Sequence, residues 1–357
     1  MLRIDIEPVW RFTNDRDGAS MLVMLDFLNE IRATGKITRA AERAQVSYRH
    51  AWNLIGKWSG FFATPLVERR QGRGTSLTAF GERLVWAGQR LQARLGPQLQ
   101  NLAQELQTEI NALLPEGGSV VRIHASHGFA VSALRELLAR EPDLAVDFRY
   151  VGNPNSLPSL AHNGCDLAGL HIPQGPLRKR SIQALRRALD LDELCAIAFV
   201  TREMGLIVRR GNPAGLRALT DLLKADVRFV NRDPDSGTRT LFDELLYAEG
   251  IDAKRIEGYE QVEFTHAAVA AYVASGMADV AFGVEAAARQ FDLDFVQLVT
   301  EDYVFACHRQ SLENASVKRV LAVMRGPEFS AAIDRLPGYG ARDPGSVRSI
   351  EEVFGAS

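Results

Sequence analysis

Residues 37–78 read ITRAAERAQVSYRHAWNLIGKWSGFFATPLVERRQGRGTSLT, and this stretch decides how the front of the chain folds. Ala40, Ala41 and Ala44 are small, as a closely crossed helix pair needs, and Val46 is placed to plug the turn between them. Ser47 is a strong N-cap for the second helix. In that helix Ala51, Trp52, Ile55 and Trp58 are predicted to face inward, which leaves Tyr48, Arg49, His50 and Asn53 outside. A two-stranded ribbon follows, with Arg69, Arg70 and Arg73 set around Gly72 and Gly74 at a basic tip. A helix, a turn, a capped polar helix and an Arg-Gly ribbon in this order fit the major groove of DNA with the ribbon on the phosphates beside it. Arginine is the commonest reader of guanine and asparagine suits adenine, so Ser47, Tyr48, Arg49, His50, Asn53, Arg69, Arg70 and Arg73 are the expected DNA-contacting set.

The charge distribution agrees. The 357 residues carry a net charge of -2, but residues 32–94 hold 12 Lys+Arg against 3 Asp+Glu. Residues 115–357 hold 27 against 33. A local basic excess is a footprint for phosphate where the total is uninformative.

The length exceeds one typical domain, so at least two cores are expected. Residues 3–12 alternate like an edge strand, and residues 20–34 have helical periodicity ended by Gly35. From Phe80 to Leu114 apolar residues recur through Leu91, Leu95, Leu99, Leu102, Leu106, Ile110 and Leu113, the seam of a helix that packs on a partner. Pro97 predicts a kink or break within it. Residues 115–118 read as a linker. Beyond it strands and helices alternate twice in a parallel α/β pattern, with crossover strands near 198–208 and 298–306. Two lobes joined by a double hinge follow, with a cleft at the carboxyl ends of their strands. The expected organisation is a DNA-binding domain over residues 1–79 and a connecting dimerisation helix over 80–117. A two-lobed domain over 118–357 completes it, its second lobe at about 205–298.

Four strand-to-helix junctions offer groups to a small anion: Ser126-His127, Asn155-Ser156, Ser236-Gly237-Thr238-Arg239 and Thr265-His266. Free N–H groups at helix starts and Ser/Thr hydroxyls bind oxyanions, and Arg239 could add a fork of donors. Asp233 and Asp235 lie beside the third junction and weigh against a dianion, which keeps a monoanion such as formate open. The three cysteines lack metal-ligand spacing, and Ser, Walker, HExxH and dinucleotide motifs are absent, so neither an enzyme nor a metal site nor a cofactor is expected.

The front block, through VSYRHAW (46–52), LVERRQGRG (66–74) and LTAFGERL (77–84), resembles the DNA-binding domain of the molybdate-responsive ModE family and the related LysR-type winged helix. The resemblance implies a homodimer on a palindromic operator. ModE proper continues into small barrel domains, and nothing after Pro115 looks like them. Instead DLAGLH (166–171), SGTR (236–239), the stretch from Gly258-Tyr259 to Thr265-His266 and ASGMADVAFG (274–283) are similar to the periplasmic-binding-protein-like domain fused to bacterial regulators and molybdopterin-biosynthesis proteins. That resemblance implies an oxyanion effector such as molybdate or tungstate.

The expected fold is therefore α/β with an N-terminal α+β winged helix and a two-lobed periplasmic-binding-protein-like effector domain. The expected function is a transcriptional regulator, a homodimer or tetramer, controlled by a small oxyanion. A regulator responding to formate, or an oxyanion solute-binding or molybdenum-cofactor-related protein, are the alternatives. No apolar leader opens the chain and no run approaches the ~18 apolar residues of a membrane span, so a cytoplasmic protein is expected.

Overall fold

A computed structural model describes residues 2–13, 18–20, 22–70, 74–113, 120–188 and 193–354. The chain forms two compact units, Glu7–Gln92 and Met1–Ile6 with Ala93–Ser357.

In the first unit, β1 (Arg11–Thr13) pairs antiparallel with β2 (Gly18–Ser20). Helix α1 (Leu22–Thr34) buries Met24, Phe27, Leu28 and Ile31, a 3-4-7 spacing that puts all four on one stripe. Helix α2 (Ile37–Arg43) buries Ile37, Ala40 and Ala41. The turn after it places Gln45 at φ +55°, and Ser47 then starts α3 (Tyr48–Phe61) by accepting a hydrogen bond from the His50 N–H at 3.2 Å. Strands β3 (Val67–Arg70) and β4 (Gly74–Leu77) form the antiparallel ribbon. The Thr75 N–H donates to the Gly35 carbonyl at 2.9 Å, tying the ribbon to the end of α1.

Helix α4 (Ala79–Ala112) differs from the expectation of a break: it runs unbroken with Pro97 inside. Proline removes one backbone donor there, but side-chain anchors hold the helix beyond it. Asn101 and Gln104 bond the backbone of Tyr150 and Val146, respectively. The expected strand over residues 3–12 is also corrected. Residues 2–10 form no ladder, although their burial alternates. The N–H groups of Leu2 and Ile4 donate to the amide side chains of Asn111 and Gln107 instead.

The second unit is built on a sheet of order β10-β9-β11-β8-β12-β7-β5-β6. Strands β5 (Val120–Ala125), β6 (Ala145–Tyr150) and β7 (Leu167–Pro173) are parallel and make the first lobe with helices α5 (Phe129–Leu138), α6 (Asn153–Ala161) and α7 (Arg178–Ala188). Strand β8 (Leu194–Val208) runs into the second lobe. There β9 (Phe229–Arg232), α8 (Gly237–Ala248), β10 (Val262–Glu263), α9 (His266–Ala274), β11 (Val280–Val284) and α10 (Glu285–Gln290) repeat the parallel pattern. Strand β12 (Asp294–His308) returns antiparallel to β8 along its whole length.

These two 15-residue strands are the hinge pair, and their register shifts between Gln297 and Val299 and between Tyr303 and Val304. Helices α11 (Ala315–Arg325) and α12 (Pro327–Ile333) close the first lobe's core around Phe148, Phe199, Phe305 and Phe329. Phe229, Phe242 and Phe282 stack in the second. Strands β13 (Tyr339–Gly340) and β14 (Val347–Ser349) add to the edge of β8.

Candidate functional site

The outer face of α3 is polar and open. Ser47, Tyr48, Arg49, His50 and Asn53 are all exposed, and so is Lys57, one turn beyond Asn53 and in phase with it. The opposite face buries Ala51, Ile55 and Trp58. Trp52 packs against the core as expected but is only half-buried, and the Arg69 guanidinium lies 4.8 Å from its ring centre. The contact ties strand β3 to the exposed helix through a cation over an aromatic face. The side chain of Arg70 and the whole of Arg73 fall outside the described residues.

The second site lies between the two lobes. Four helices start at the carboxyl ends of four strands: α5 after β5, α6 after β6, α8 after β9 and α9 after β10. Each helix start carries free N–H groups and partial positive charge. They surround a cavity of about 310 Å³ lined from the first lobe by Ser126, His127, Gly152 and His171. Arg202, Arg232, Asp233, Asp235, Ser236, Gly237, Thr238, Thr265 and His266 line it from the hinge and the second lobe, so the two carboxylates expected to weigh against a dianion are in the wall. Gly152 is required where the lobes meet: a Cβ there would stand 2.8 Å from the Asp235 carbonyl oxygen.

Arg232 is the unusual group. It ends β9 and is only 5 % exposed. Its Nη2 donates to the Phe264 carbonyl at 3.0 Å, while Nε and Nη1 have no partner. Asp233 approaches no nearer than 3.8 Å. Burial draws the guanidinium's pKa down to about 10, against the pull of Asp233 and with the repulsion of Arg202. It is still charged at neutral pH. Buried donors left unpaired cost about 1–3 kcal/mol each, so such a group is an exception that calls for a reason.

Arg202 is different. It bonds Glu301 across the hinge strands at 2.7 and 2.8 Å. Burial works against its charge, but Glu301 together with Tyr339 and Tyr303 outweighs the burial and holds the guanidinium above its ordinary value.

Three imidazoles complete the cavity. Burial, then Arg202 and Arg232, hold His171 well below its ordinary pKa, and burial, then Arg232, act likewise on His266. Burial, Arg232 and Arg135 bring His127 down to about 4. All three are neutral at pH 7, so each offers one N–H donor and one acceptor. His266 Nε2 lies 3.4 Å from Thr238 Oγ1. His171 lies on the Tyr303 ring, with centroids 4.0 Å apart. Tyr303 itself crosses Gly169, where a Cβ would stand 2.3 Å from its hydroxyl, and that hydroxyl accepts the Ser126 N–H at 3.1 Å. Arg232, only loosely paired with Asp233, together with neutral donors and helix starts makes an arrangement able to hold a small anion, although the carboxylates of Asp233 and Asp235 stand in the same wall.

Residues 134–325 match the PBP superfamily domain. The chain belongs to the PBP superfamily. A LysR-type helix-turn-helix unit precedes the PBP domain: residues 22–82 match the bacterial regulatory helix-turn-helix protein, lysR family. Uncharacterized protein YvgK of Bacillus subtilis is 31 % identical over 199 residues, 56 % of this chain and 64 % of that one. Transcriptional regulator ModE of Haemophilus influenzae is 40 % identical over 62 residues, 16 % of this chain and 24 % of its own length. Molybdenum transport protein ModE of Azotobacter vinelandii is 33 % identical over 102 residues, 27 % of this chain and 38 % of that one. The chain thus spans less than two thirds of each of these three relatives.

The PBP domain gathers most, but not all, of the residues expected from sequence. Ser126, His127, Ser236, Gly237, Thr238, Thr265 and His266 line one cavity. Ser236 and Thr265 also cap their helices, accepting the N–H groups of Arg239 and Ala268. Arg239 is not in the lining. Asp243, one turn on, takes its Nε at 3.0 and 3.1 Å, and the Tyr259 ring centre lies 4.1 Å from its guanidinium. Ser156 also points elsewhere, its hydroxyl donating to the Gly169 carbonyl at 3.3 Å. The side chain of Asn155 falls outside the described residues.

Sequence reasoning passed over Arg202, Arg232 and His171. The available signal was a charge at the wrong place: Arg202 interrupts the apolar run of β8, and Glu301 sits opposite in β12. His124 is held by Ser159 Oγ at 2.8 Å and does not line the cavity. No helix among the described residues is long and apolar enough to cross a membrane.

Proposed function

We propose that this chain is a DNA-binding transcriptional regulator whose grip on an operator is set by a small oxyanion, of the molybdate or tungstate kind, held at Arg232 between the lobes of its PBP domain. The buried guanidinium of Arg232 carries this reading, because Nε and Nη1 have no hydrogen-bond partner and Asp233, at 3.8 Å, balances its charge only loosely, which leaves donors for a guest. The partial likeness to two ModE proteins, whose names give transcriptional regulation and molybdenum transport, supports the class of guest. On the DNA side, Tyr48, Arg49, His50 and Asn53 face the major groove, with Ser47 at the helix start. Arg69, Arg70 and Arg73 rest on the flanking phosphates. The protein acts in the cytoplasm as a homodimer or as a tetramer of two such dimers. The exposed apolar positions Leu102, Leu106 and Ile110 of α4, with Leu113 just after it, support self-association. The anion acts by favouring one arrangement of the lobes over another.

The test uses the full chain and duplexes selected by it from a random pool. Arg49→Ala is expected to weaken binding to the selected duplex by about tenfold or more, within the usual value of an arginine–guanine pair of about 1–3 kcal/mol. Calorimetric titration with molybdate, tungstate, orthophosphate and formate is expected to give a heat in the wild type and none in Arg232→Met. No selection of duplexes, or no heat with any of the four anions, overturns the corresponding half of the reading.

A further inference from the structure

The cavity has a third wall that belongs to neither lobe. Arg94, Pro97, Gln98 and Asn101, from the second half of α4, line the same space as Arg232 and the three histidines. We infer that α4 is a binding element of the anion site, with Arg94 and Gln98 contacting the guest held at Arg232.

Two juxtapositions carry this. Phe264 is shared between the two arginines: its carbonyl accepts the Arg232 Nη2 at 3.0 Å, and the Arg94 guanidinium lies 5.3 Å from its ring centre. The two guanidinium groups therefore flank one residue at the rim of one cavity. Arg94 is exposed, so its charge is not committed to the interior and can turn toward an anion at little cost. The second juxtaposition is the anchor that keeps α4 in place. Strand β6 is an edge of the sheet, and its free edge is covered by amide side chains of α4. Asn101 Nδ2 donates to the Tyr150 carbonyl at 2.6 Å, and Asn101 Oδ1 accepts the Tyr150 N–H at 2.7 Å. Asn101 thus imitates a neighbouring strand, and Tyr150 in turn packs on His127 with centroids 4.9 Å apart. Asn101 is a positioning residue in this scheme, one step removed from the guest.

The inference rests on the anion site proposed above and goes beyond it. A site walled only by the lobes would report closure of the lobes; a site walled by α4 reports on the connector helix itself, which begins at Ala79. The guest's contacts would then differ between two positions of α4, which is what a ligand needs in order to shift that helix.

The test titrates full-length Arg94→Ala, Arg94→Lys and Gln98→Ala with molybdate, tungstate, orthophosphate and formate, beside wild type and Arg232→Met. Both alanine variants involve exposed side chains and are expected to melt as wild type does. Each is expected to weaken the anion that wild type binds by about five- to tenfold, with Arg94→Lys recovering most of the loss. If Arg232→Met abolishes binding while both alanine variants titrate within twofold of wild type, α4 merely borders the cavity and the inference is overturned. If wild type gives no heat with any of the four, the anion site itself is overturned, a different failure read from a different arm.

Discussion

Arg232 and Arg239 stand seven positions apart in the segment NRDPDSGTR, and what each can reach separates them. Arg239 lies in the first turn of α8, so position i+4 delivers Asp243 to it and the Tyr259 ring covers it. Arg232 ends a strand beside the cavity, has its carboxylate neighbour Asp233 no nearer than 3.8 Å, and keeps two buried nitrogens without a hydrogen-bond partner. The segment was legible as a site, but the choice of arginine was not, because it depends on where helix α8 begins and on which carboxylate the helix turns toward. The contrast sets a prediction of opposite signs. Removing a buried, poorly paired charge commonly leaves a protein as stable or more stable, by up to about 4 kcal/mol in favourable cases. Arg232→Met is therefore expected to melt at or above the wild-type temperature without anion, yet to lose the melting rise that anion gives wild type. Arg239→Ala is expected to melt a few degrees lower and to keep that rise. Scanning calorimetry with and without molybdate reads both, and a clear drop for anion-free Arg232→Met would show that its charge is satisfied in a way the geometry does not reveal.

Elements were read best where a local rule and a tertiary need coincide. Helix α3 is the clear case, since Ser47 caps it and Ala51, Ile55 and Trp58 seat it, both readable from spacing. Residues 3–12 show the reverse: their alternation promised a strand, but a strand needs a neighbour, and the amide side chains of α4 took those N–H groups instead. Pro97 likewise suggested a break that the anchors on β6 override. Trp52 reaches the core with Ala51, Ile55 and Trp58, but spacing gives no warning that Arg69 covers its ring from a ribbon not adjacent in sequence. The cap and the DNA face of α3 can be separated. Ser47→Ala loses the bond to the His50 N–H and is expected to cost about 1 kcal/mol of stability. Ser47→Asp keeps a capping acceptor and should retain the stability, while its negative charge beside the phosphates should weaken duplex binding several-fold. Thermal melts with duplex titrations decide it: if Ser47→Asp binds DNA as wild type does, the start of α3 is not near the phosphates.

Across the whole PBP domain, the two lobes, the crossing strands and the cleft at the strand ends followed from the repeated α/β pattern, because that pattern constrains topology strongly. The return of residues 309–354 onto the first lobe and the wall made by α4 did not follow, since both are long-range packings with no periodic signature. The electrostatics of the cleft were hidden for the same reason: His127 from a loop, His171 from β7 and His266 from the start of α9 come to one pair of guanidinium groups.

That assembly gives the molecule a pH response whose sign differs between stability and binding. Each of these imidazoles has a folded pKa below its unfolded value near ~6.5, with His127 at about 4. The unfolded chain therefore binds more protons as the pH falls, and the stability the neutral rings contribute is complete above ~6.5 and is lost as the pH drops through the interval below it. Asp233 and Glu301, both raised by burial, act in the opposite direction at the acid end. A His127→Gln comparison isolates the imidazole's share: the variant is expected to lose less melting temperature than wild type between about pH 7 and about pH 5. A bound anion reverses the local field, because it neutralises Arg232 and favours the protonated ring, so binding should take up protons. Anion affinity is thus expected to rise as the pH falls from about 6.5 to about 5, while stability without anion falls. Calorimetry in two buffers of different ionisation heat measures the proton count directly, and a count of zero at the acid end of that range would mean that the histidines do not face the guest.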